Sequence, residues 1–331
     1  MNHIKTIAQE LGLNEKAVEA AVNLIDEGNT IPFIARYRKE ATGSMDDQVL
    51  RKLGERLDYL RGLDKRRDEV KRSIEEQGAM TEELAQKLEA AETLARLEDL
   101  YRPYRPKRKT RASVARARGL VPLAELLLAQ NSGTDPEKAA ADYLSGEVPD
   151  TAAALAGARD ILAEQFSDDA ALRQELRELY QRTALLASKA ADAEKESVYE
   201  QYYDYAEPVS KVAGHRILAV DRGEREGFLK VSIQAEREQA TALLRRRFVR
   251  AGGGPSAAQV TLAAQDAYDR LLHPSLEREL RSELTARAAE GAIAVFGENL
   301  RQLLLQPPIR GKVALGMDPG YRMGCKLAVV D

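Results

Sequence analysis

Residues 44–78 read SMDDQVLRKLGERLDYLRGLDKRRDEVKRSIEEQG, and the placing of their apolar side chains decides the fold class. Val49, Leu50, Leu53, Leu57, Leu60, Leu63 and Val70 recur at three- and four-residue spacing, which lines one face of an α-helix. Ser44 followed by Asp47 resembles a capping box at its start, and Gly78 supplies its end. The same period continues in both directions. Toward the N-terminus, Ile4, Ile7, Ala8 and Leu11 make a short stripe that Gly12 breaks. Asn14 caps a second helix through Glu27, with Val18, Ala21, Val22 and Ile25 on its stripe and Gly28 as its stop. Toward the C-terminus, Thr81 opens a segment carrying Leu84, Leu88, Ala91, Leu94, Leu97 and Leu100, which Pro103 ends. Asp135-Pro136 reads as a cap and a first-turn proline. Thr151 and Ser167 open two more helices, the second running through Leu172, Leu176, Leu179, Leu185 and Leu186.

The pattern changes twice. After the tyrosine-rich stretch Tyr199–Tyr205 and Pro208, Arg216–Val220 and Phe228–Ile233 read as two strands around the turn Asp221–Gly227. Helices resume near Ala235, break at Gly252-Gly253-Gly254-Pro255, restart at Ser256 and pause at His273-Pro274-Ser275 before a last helix to about Leu305. Beyond Pro307-Pro308, Lys312–Met317 and Gly324–Val330 read as two apolar strands joined by a short loop. Such a ribbon is marginal alone in water and reads as the beginning of a domain whose remainder is missing.

The 331 residues carry 50 Lys+Arg and 53 Asp+Glu, a net charge of −3, with 44% hydrophobic residues. The length exceeds what one hydrophobic core usually serves, so two or more folding units are expected. With Cys325 alone there is no intrachain disulfide, which fits a reducing cytoplasm, and Cys-rich zinc sites are excluded. His3, His215 and His273 are scattered, no P-loop run occurs, and no apolar stretch is long enough to span a membrane. The composition calls for no cofactor.

The near-neutral total hides an asymmetry. Between Tyr101 and Leu120 the chain holds Arg102, Arg105, Lys107, Arg108, Lys109, Arg111, Arg116 and Arg118 and no acidic residue, a local charge of +8 that leaves −11 for the rest. In Tyr101–Arg111 two tyrosines and two prolines interleave with basic residues. Prolines hold a backbone extended, guanidinium groups pair with phosphates, and aromatic rings offer stacking faces. Arg102, Arg105, Lys107, Arg108, Lys109 and Arg111 are therefore the candidate phosphate contacts and Tyr104 the candidate stacking residue, with Tyr101 beside it. A second reading stands next to this one, in which the segment lies across the acidic helices and its tyrosines are packed anchors. Arg36, Arg38 and Lys39, and Arg245, Arg246, Arg247 and Arg250, could extend the patch; their plain reading is the solvated faces of helices. Residues 4–27 have the outline of a helix-turn-helix. Glu15, Glu19 and Asp26 leave its second helix negative, which favours packing against the body over reading DNA.

Four runs carry a resemblance to a known family: Asn29–Gly43 (NTIPFIARYRKEATG), Leu97–Arg111 (LEDLYRPYRPKRKTR), Asp221–Gly227 (DRGEREG) and Leu315–Lys326 (LGMDPGYRMGCK). They are spaced over the whole chain, which resembles the N-terminal part of the bacterial Tex family of transcription accessory proteins. The resemblance implies a cytoplasmic, multidomain nucleic-acid-binding protein. Its expected parts are a helical N-terminal region with a helix-turn-helix element, a YqgF-type ribonuclease-H-like domain, helix-hairpin-helix elements and a C-terminal oligonucleotide-binding barrel that supplies much of the RNA affinity. In ribonuclease-H-like nucleases a first-strand aspartate at the position of Asp318 helps to hold two divalent metals. Such chemistry needs further carboxylates from later strands, so a turn-capping role is the expected one here.

Together these observations predict a mainly α, multi-helix scaffold with a helix-turn-helix element, one inserted β-hairpin and a truncated two-strand start of a ribonuclease-H-like domain. The expected divisions are a helical region over 1–205, with the helix-turn-helix at about 3–28, the hairpin at 206–235, helices over 236–308 and the ribbon at 312–331. The expected function is RNA binding, with DNA as a further ligand, in connection with the transcription apparatus, by a cytoplasmic monomer without catalytic or metal-binding residues. Two rivals stand beside it: a protein-interaction scaffold whose nucleic-acid affinity lies in the missing C-terminal domains, and a metal-dependent nuclease when full length.

Overall fold

The computed structural model describes residues 3–106, 109–307, 311–320 and 324–331; the expectations placed on Lys107 and Arg108, and on residues 321–323 of the last quoted run, lie outside them. The fold is mainly α, as the periodicity predicts. The chain divides into two units, Met1–Leu179 with Arg237–Pro274, and Tyr180–Glu236 with Ser275–Asp331.

The first unit starts with α1 (His3–Leu11), α2 (Glu15–Asp26), α3 (Ile31–Tyr37) and the long α4 (Asp47–Glu76). Ile7 and Ala8 of α1, Val18, Ala21 and Val22 of α2, Ile34 of α3, and Leu50, Leu53, Leu57 and Leu60 of α4 bury one another in a single cluster. The cap of α4 differs from expectation. Asp46 fills it, its Oδ1 accepting from the Val49 N–H at 2.8 Å, while Ser44 sits upstream in a left-handed conformation (φ +62°). A carboxylate here meets the positive end of the helix dipole, a stronger cap than a neutral hydroxyl.

Further along α4, Leu63, Val70 and Ile74 pack with α5 (Glu82–Glu89) and α6 (Leu94–Tyr101). The sequence period reads through 81–100 as one segment, but it is two helices. Thr93 Oγ1 accepts from the Arg96 N–H at 3.2 Å, and this local bond restarts the helix after Ala90 has ended the first. Arg67 occupies the buried face of α4, where its Nε and Nη2 donate to the carbonyls of Leu88 (3.0 Å) at the end of α5 and Ala91 (2.9 Å) just beyond it.

The rest of the unit gathers around α10 (Thr151–Ser167), against which α7 (Arg111–Ala117), α8 (Val121–Ala129), α9 (Pro136–Ala141) and α14 (Gly254–Asp266) pack. Gly157 makes the approach possible: a Cβ there would lie 2.4 Å from Leu120 Cδ1 and 3.3 Å from Ala115 Cβ. Phe166 stacks on Phe248 of α13 (Arg237–Phe248) at 4.0 Å. Two helix starts again belong to aspartates. Asp150 caps α10 in place of Thr151, and Asp169 Oδ1 accepts from the Leu172 N–H at the head of α11 (Ala170–Thr183), while Ser167 is the last residue of α10. No pause occurs at His273-Pro274: the N–H of His273 bonds the carbonyl of Tyr268, and this wider turn lets the helix accept a residue without an N–H donor.

In the second unit, β1 (Leu185–Ala190) lies between β2 (Asp204–Pro208) and β3 (Leu229–Gln234) in an antiparallel sheet. Here the expected hairpin is corrected. Phe228–Ile233 does supply a strand, but Arg216–Val220 lies within α12 (Gly214–Arg225), and the strand paired to β3 comes from Leu185 and Leu186 onward, residues read as the end of a helix. Ile217, Val220 and Gly223, buried at three-residue spacing, are a helical stripe, and a Cβ on Gly223 would come within 2.6 Å of Leu229 Cδ1. Asp221 and Glu224 grip Arg281 of α15 (His273–Leu304) at 2.7 Å each, so the DRGEREG run holds a helix in place. At the end of the chain β4 (Ala314–Asp318) and β5 (Lys326–Val330) pair antiparallel as expected, with Leu315, Met317, Leu327 and Val329 exposed.

One buried ionic cluster ties α6 to α11 in the first unit. Asp99 is 2% exposed and Arg173 1%; Arg173 Nε donates to Asp99 Oδ1 at 2.7 Å, and Arg177 Nη1 lies 2.6 Å from Oδ2. Removing the carboxylate would leave two arginine charges without it in a low-dielectric interior. Asp99→Ala is therefore expected to destabilise the chain by about 3–5 kcal/mol, read as a lower denaturation midpoint; a change of a few tenths would contradict this role.

Candidate nucleic-acid interface

The basic segment is a short bridge between two helices and is pinned at both ends. α6 ends at Tyr101, whose hydroxyl is 2.9 Å from Ser73 Oγ on α4, and whose ring is covered by the Arg66 guanidinium at 5.5 Å. Arg102–Tyr104 then make one 3-10 turn, closed by the Arg105 N–H, which donates to the Arg102 carbonyl at 3.4 Å and also to the Tyr101 carbonyl at 3.1 Å. Gln77 Nε2 donates to the Tyr104 carbonyl at 2.9 Å, and the Tyr104 side chain packs half-buried against the α4–α6 core. Arg105 itself is extended, as the following proline requires.

The far end is closed by a capping box. Thr110 Oγ1 accepts from the Ser113 N–H at 3.0 Å, and Ser113 Oγ accepts from the Thr110 N–H at 2.8 Å. Glu164, buried on α10, takes the Thr110 hydroxyl at 3.2 Å and Arg116 Nη1 at 2.5 Å. Sequence reading missed both Ser113 and Glu164. The Thr110-x-x-Ser113 spacing carried the signal for the box, whereas Glu164 lies 54 residues away and only the fold brings it in.

The candidate residues separate by environment. Arg105, Lys109 and Arg111 are exposed and have no carboxylate in ion-pair contact among the described residues. Arg102 is half-buried within the 3-10 turn. Arg116 and Arg118 are neutralised by Glu164 and by Glu147 at 3.5 Å. Tyr101 is buried in the core and offers no stacking face, so the anchor reading holds for this tyrosine. Tyr104 is only partly covered by the core.

Lys109, Arg111 and Arg118 border a cleft of about 480 Å³ whose floor includes Gly157 and Asp160. Burial pushes the Asp160 carboxyl above the ordinary carboxylate range, against the pull of Arg270, which donates to it at 2.9 Å. A second cleft of about 590 Å³, bordered by Pro103 and Arg116, is lined by Glu125, Glu164, Asp168 and Asp169. The first cleft thus carries three cations against one carboxylate, and the second four carboxylates against Arg116.

Other basic positions behave differently. Arg246 lies 3.3 Å from Glu175, Arg247 2.9 Å from Asp169, and Arg250 donates to the Ala129 carbonyl at 3.0 Å, so this group ties α13 to its neighbours. Two acidic residues of the α1–α2 pair are similarly engaged: Glu10 receives Arg56 at 2.6 Å and Asp26 receives Arg61 at 2.7 Å. These hydrogen bonds hold both carboxyls below the usual carboxylate range. Asp318 is exposed at the end of β4, and among the described residues no three His, Cys, Asp or Glu side chains group as a metal site. No helix among the described residues is long and apolar enough to cross a membrane.

Comparison with known proteins agrees with the quoted runs. A family model described as Tex central region-like matches residues 131–296, and one described as Tex-like protein N-terminal domain matches residues 1–75. The chain is 45% identical over 330 residues to protein YdcI of Bacillus subtilis, covering 98% of this chain and 46% of that one. It is 43% identical over 350 residues to the Transcriptional accessory protein Tex of Neisseria gonorrhoeae, covering 100% of this chain and 44% of that one. To the human S1 RNA-binding domain-containing protein 1 it is 29% identical over 346 residues, 99% of this chain and 34% of that one. The chain thus spans less than half the length of these relatives.

The pinning of the basic segment is testable by itself. Glu164→Ala removes two hydrogen-bond partners at its C-terminal end, and amide exchange at Ser113 and Val114 is expected to speed up about tenfold, on the scale of ~1.4 kcal/mol of local stability. Unchanged exchange would show that the capping box alone holds this end.

Proposed function

Because this chain belongs to the Tex family, we propose that it binds RNA, with DNA as a further ligand, through phosphate contacts made by the Arg102–Arg111 segment, in the cytoplasm and in connection with transcription. The observation that carries the reading is the trio Arg105, Lys109 and Arg111: exposed, without a carboxylate in ion-pair contact among the described residues, and set on a backbone held at both ends. Cations held in a fixed frame lose less conformational freedom on meeting a phosphate chain than cations on a free loop. The names of two relatives support the same direction, one as a transcriptional accessory protein and one by its S1 RNA-binding domain.

The proposed role is binding without turnover. Contacts here are to phosphates and to one half-buried tyrosine, Tyr104, so sequence discrimination by base edges has no basis in this segment. RNA incubated with the chain and Mg²⁺ or Mn²⁺ is expected to stay full length; cleavage that vanishes in Asp318→Asn would overturn this.

Fluorescence anisotropy with labelled single-stranded RNA and duplex DNA at several salt concentrations tests the binding. About six phosphate contacts predict a log–log slope of affinity against salt of about −4, at roughly −0.7 per contact for single strands. Reversal of charge at Arg105, Arg108 and Arg111 together is expected to abolish binding. A protein-docking scaffold predicts no such slope, and native affinity in the triple variant would end the assignment.

A further inference from the structure

The α3 helix buries one face and displays another that its folding does not need. Ile34 is fully buried and Ile31 and Ala35 are partly buried against α4, which accounts for the anchoring of this short element. Phe33 and Tyr37, one turn apart on the other side, are 36% and 59% exposed, with ring centroids 5.2 Å apart. Two neighbouring aromatic rings left in water forgo the burial that usually stabilises them.

Cations surround the pair. The Arg38 guanidinium carbon is 5.2 Å from the Phe33 ring centre and its Nη1 donates to the Tyr37 carbonyl at 3.2 Å, while Arg36 lies 6.0 Å from the Tyr37 ring. Arg36, Arg38 and Lys39 are all exposed, and none has a carboxylate in ion-pair contact among the described residues. This differs from the nearby surface, where Arg56 and Arg61 are each taken up by an acidic residue of α1 or α2.

The following loop fixes this arrangement. Thr42 is completely buried and its hydroxyl donates to the Arg38 carbonyl at 3.1 Å, while the Ser44 N–H bonds the Lys39 carbonyl at 2.7 Å. Gly43 turns through φ +63°, a conformation suited to glycine, and brings the chain back to α4. Arg38 and Lys39 thus leave a backbone that is tied down from within.

From this geometry we infer that Phe33 and Tyr37 form a stacking platform for unpaired bases of single-stranded nucleic acid, with Arg36, Arg38 and Lys39 contacting the adjoining phosphates. Aromatic faces accept any base, and flanking cations follow the backbone, which together recognise a single strand without regard to sequence. A duplex keeps its bases stacked inside and offers the rings nothing. Three cations against the lone Glu40 favour a polyanion over a protein segment as the occupant. The platform is separate from the Arg102–Arg111 segment, and either assignment can fail without the other.

The test uses the 331-residue chain, a labelled oligouridylate and an RNA duplex. F33A/Y37A is expected to bind the oligouridylate at least about tenfold more weakly, with its salt slope and its duplex affinity unchanged, since stacking contributes ~1–3 kcal/mol per base. The protein contains no tryptophan, so Phe33→Trp provides a single reporter whose emission should be quenched by the oligouridylate and left unchanged by the duplex. Native oligouridylate affinity in folded F33A/Y37A, or no quenching in Phe33→Trp, overturns the platform; either result is what a protein-docking patch would produce. The variant reversed at Arg105, Arg108 and Arg111 reads out the other segment independently.

Discussion

The buried carboxylate of Asp99 is the constraint on which the placing of the basic segment depends. It lies two residues before the last residue of α6, and α11 presents Arg173 and Arg177 to it from successive turns. Taking three charges out of water is costly, and the arrangement is tolerable only while all are in register. Because a misplaced α6 would leave these charges without their partners, the cluster fixes where the chain emerges toward Arg102. Tyr101 adds a second constraint, since its hydroxyl meets Ser73 and its ring is covered by Arg66. What leaves the core is therefore a directed segment.

Surface charge divides in a way that net charge conceals. Glu10 of α1 and Asp26 of α2 are occupied by Arg56 and Arg61, Glu175 of α11 and Asp169 just before it by Arg246 and Arg247, and Glu164 by Arg116. Exposed pairs of this kind add little stability each, but they neutralise the cations they contain. Among the described residues, the cations outside such pairs include Arg105, Lys109 and Arg111 after α6 and Arg36, Arg38 and Lys39 at the end of α3, and in both places a hydrogen bond ties down the backbone nearby. A phosphate chain approaching the unit meets these positions with their charge still available.

Much of this was legible beforehand. The apolar stripe of residues 44–78 announces α4, Asn14 and Thr81 announce their helices, and the terminal ribbon is readable from its two short apolar runs. The displaced helix caps share a cause. Hydroxyls cap helices, which points to Ser44, Thr151 and Ser167 as openers, yet an aspartate close by in the sequence takes each start. The candidate segment was visible as charge, but the burial of Tyr101, the neutralisation of Arg116 and the anchoring by Glu164 were not.

Local periodicity and capping chemistry determine which residues become helix, and the sequence alone was enough for that, as for the +8 window and the family resemblance. Pairing at long range was decided by the tertiary structure. β1 and β3 are joined across some forty residues, so Leu185 and Leu186, good helix formers by themselves, took the conformation that the sheet could satisfy. The same holds for charge: the sequence counts the arginines, and only the folded chain decides which of them already has a carboxylate beside it, because that distance is set by packing between elements far apart in sequence.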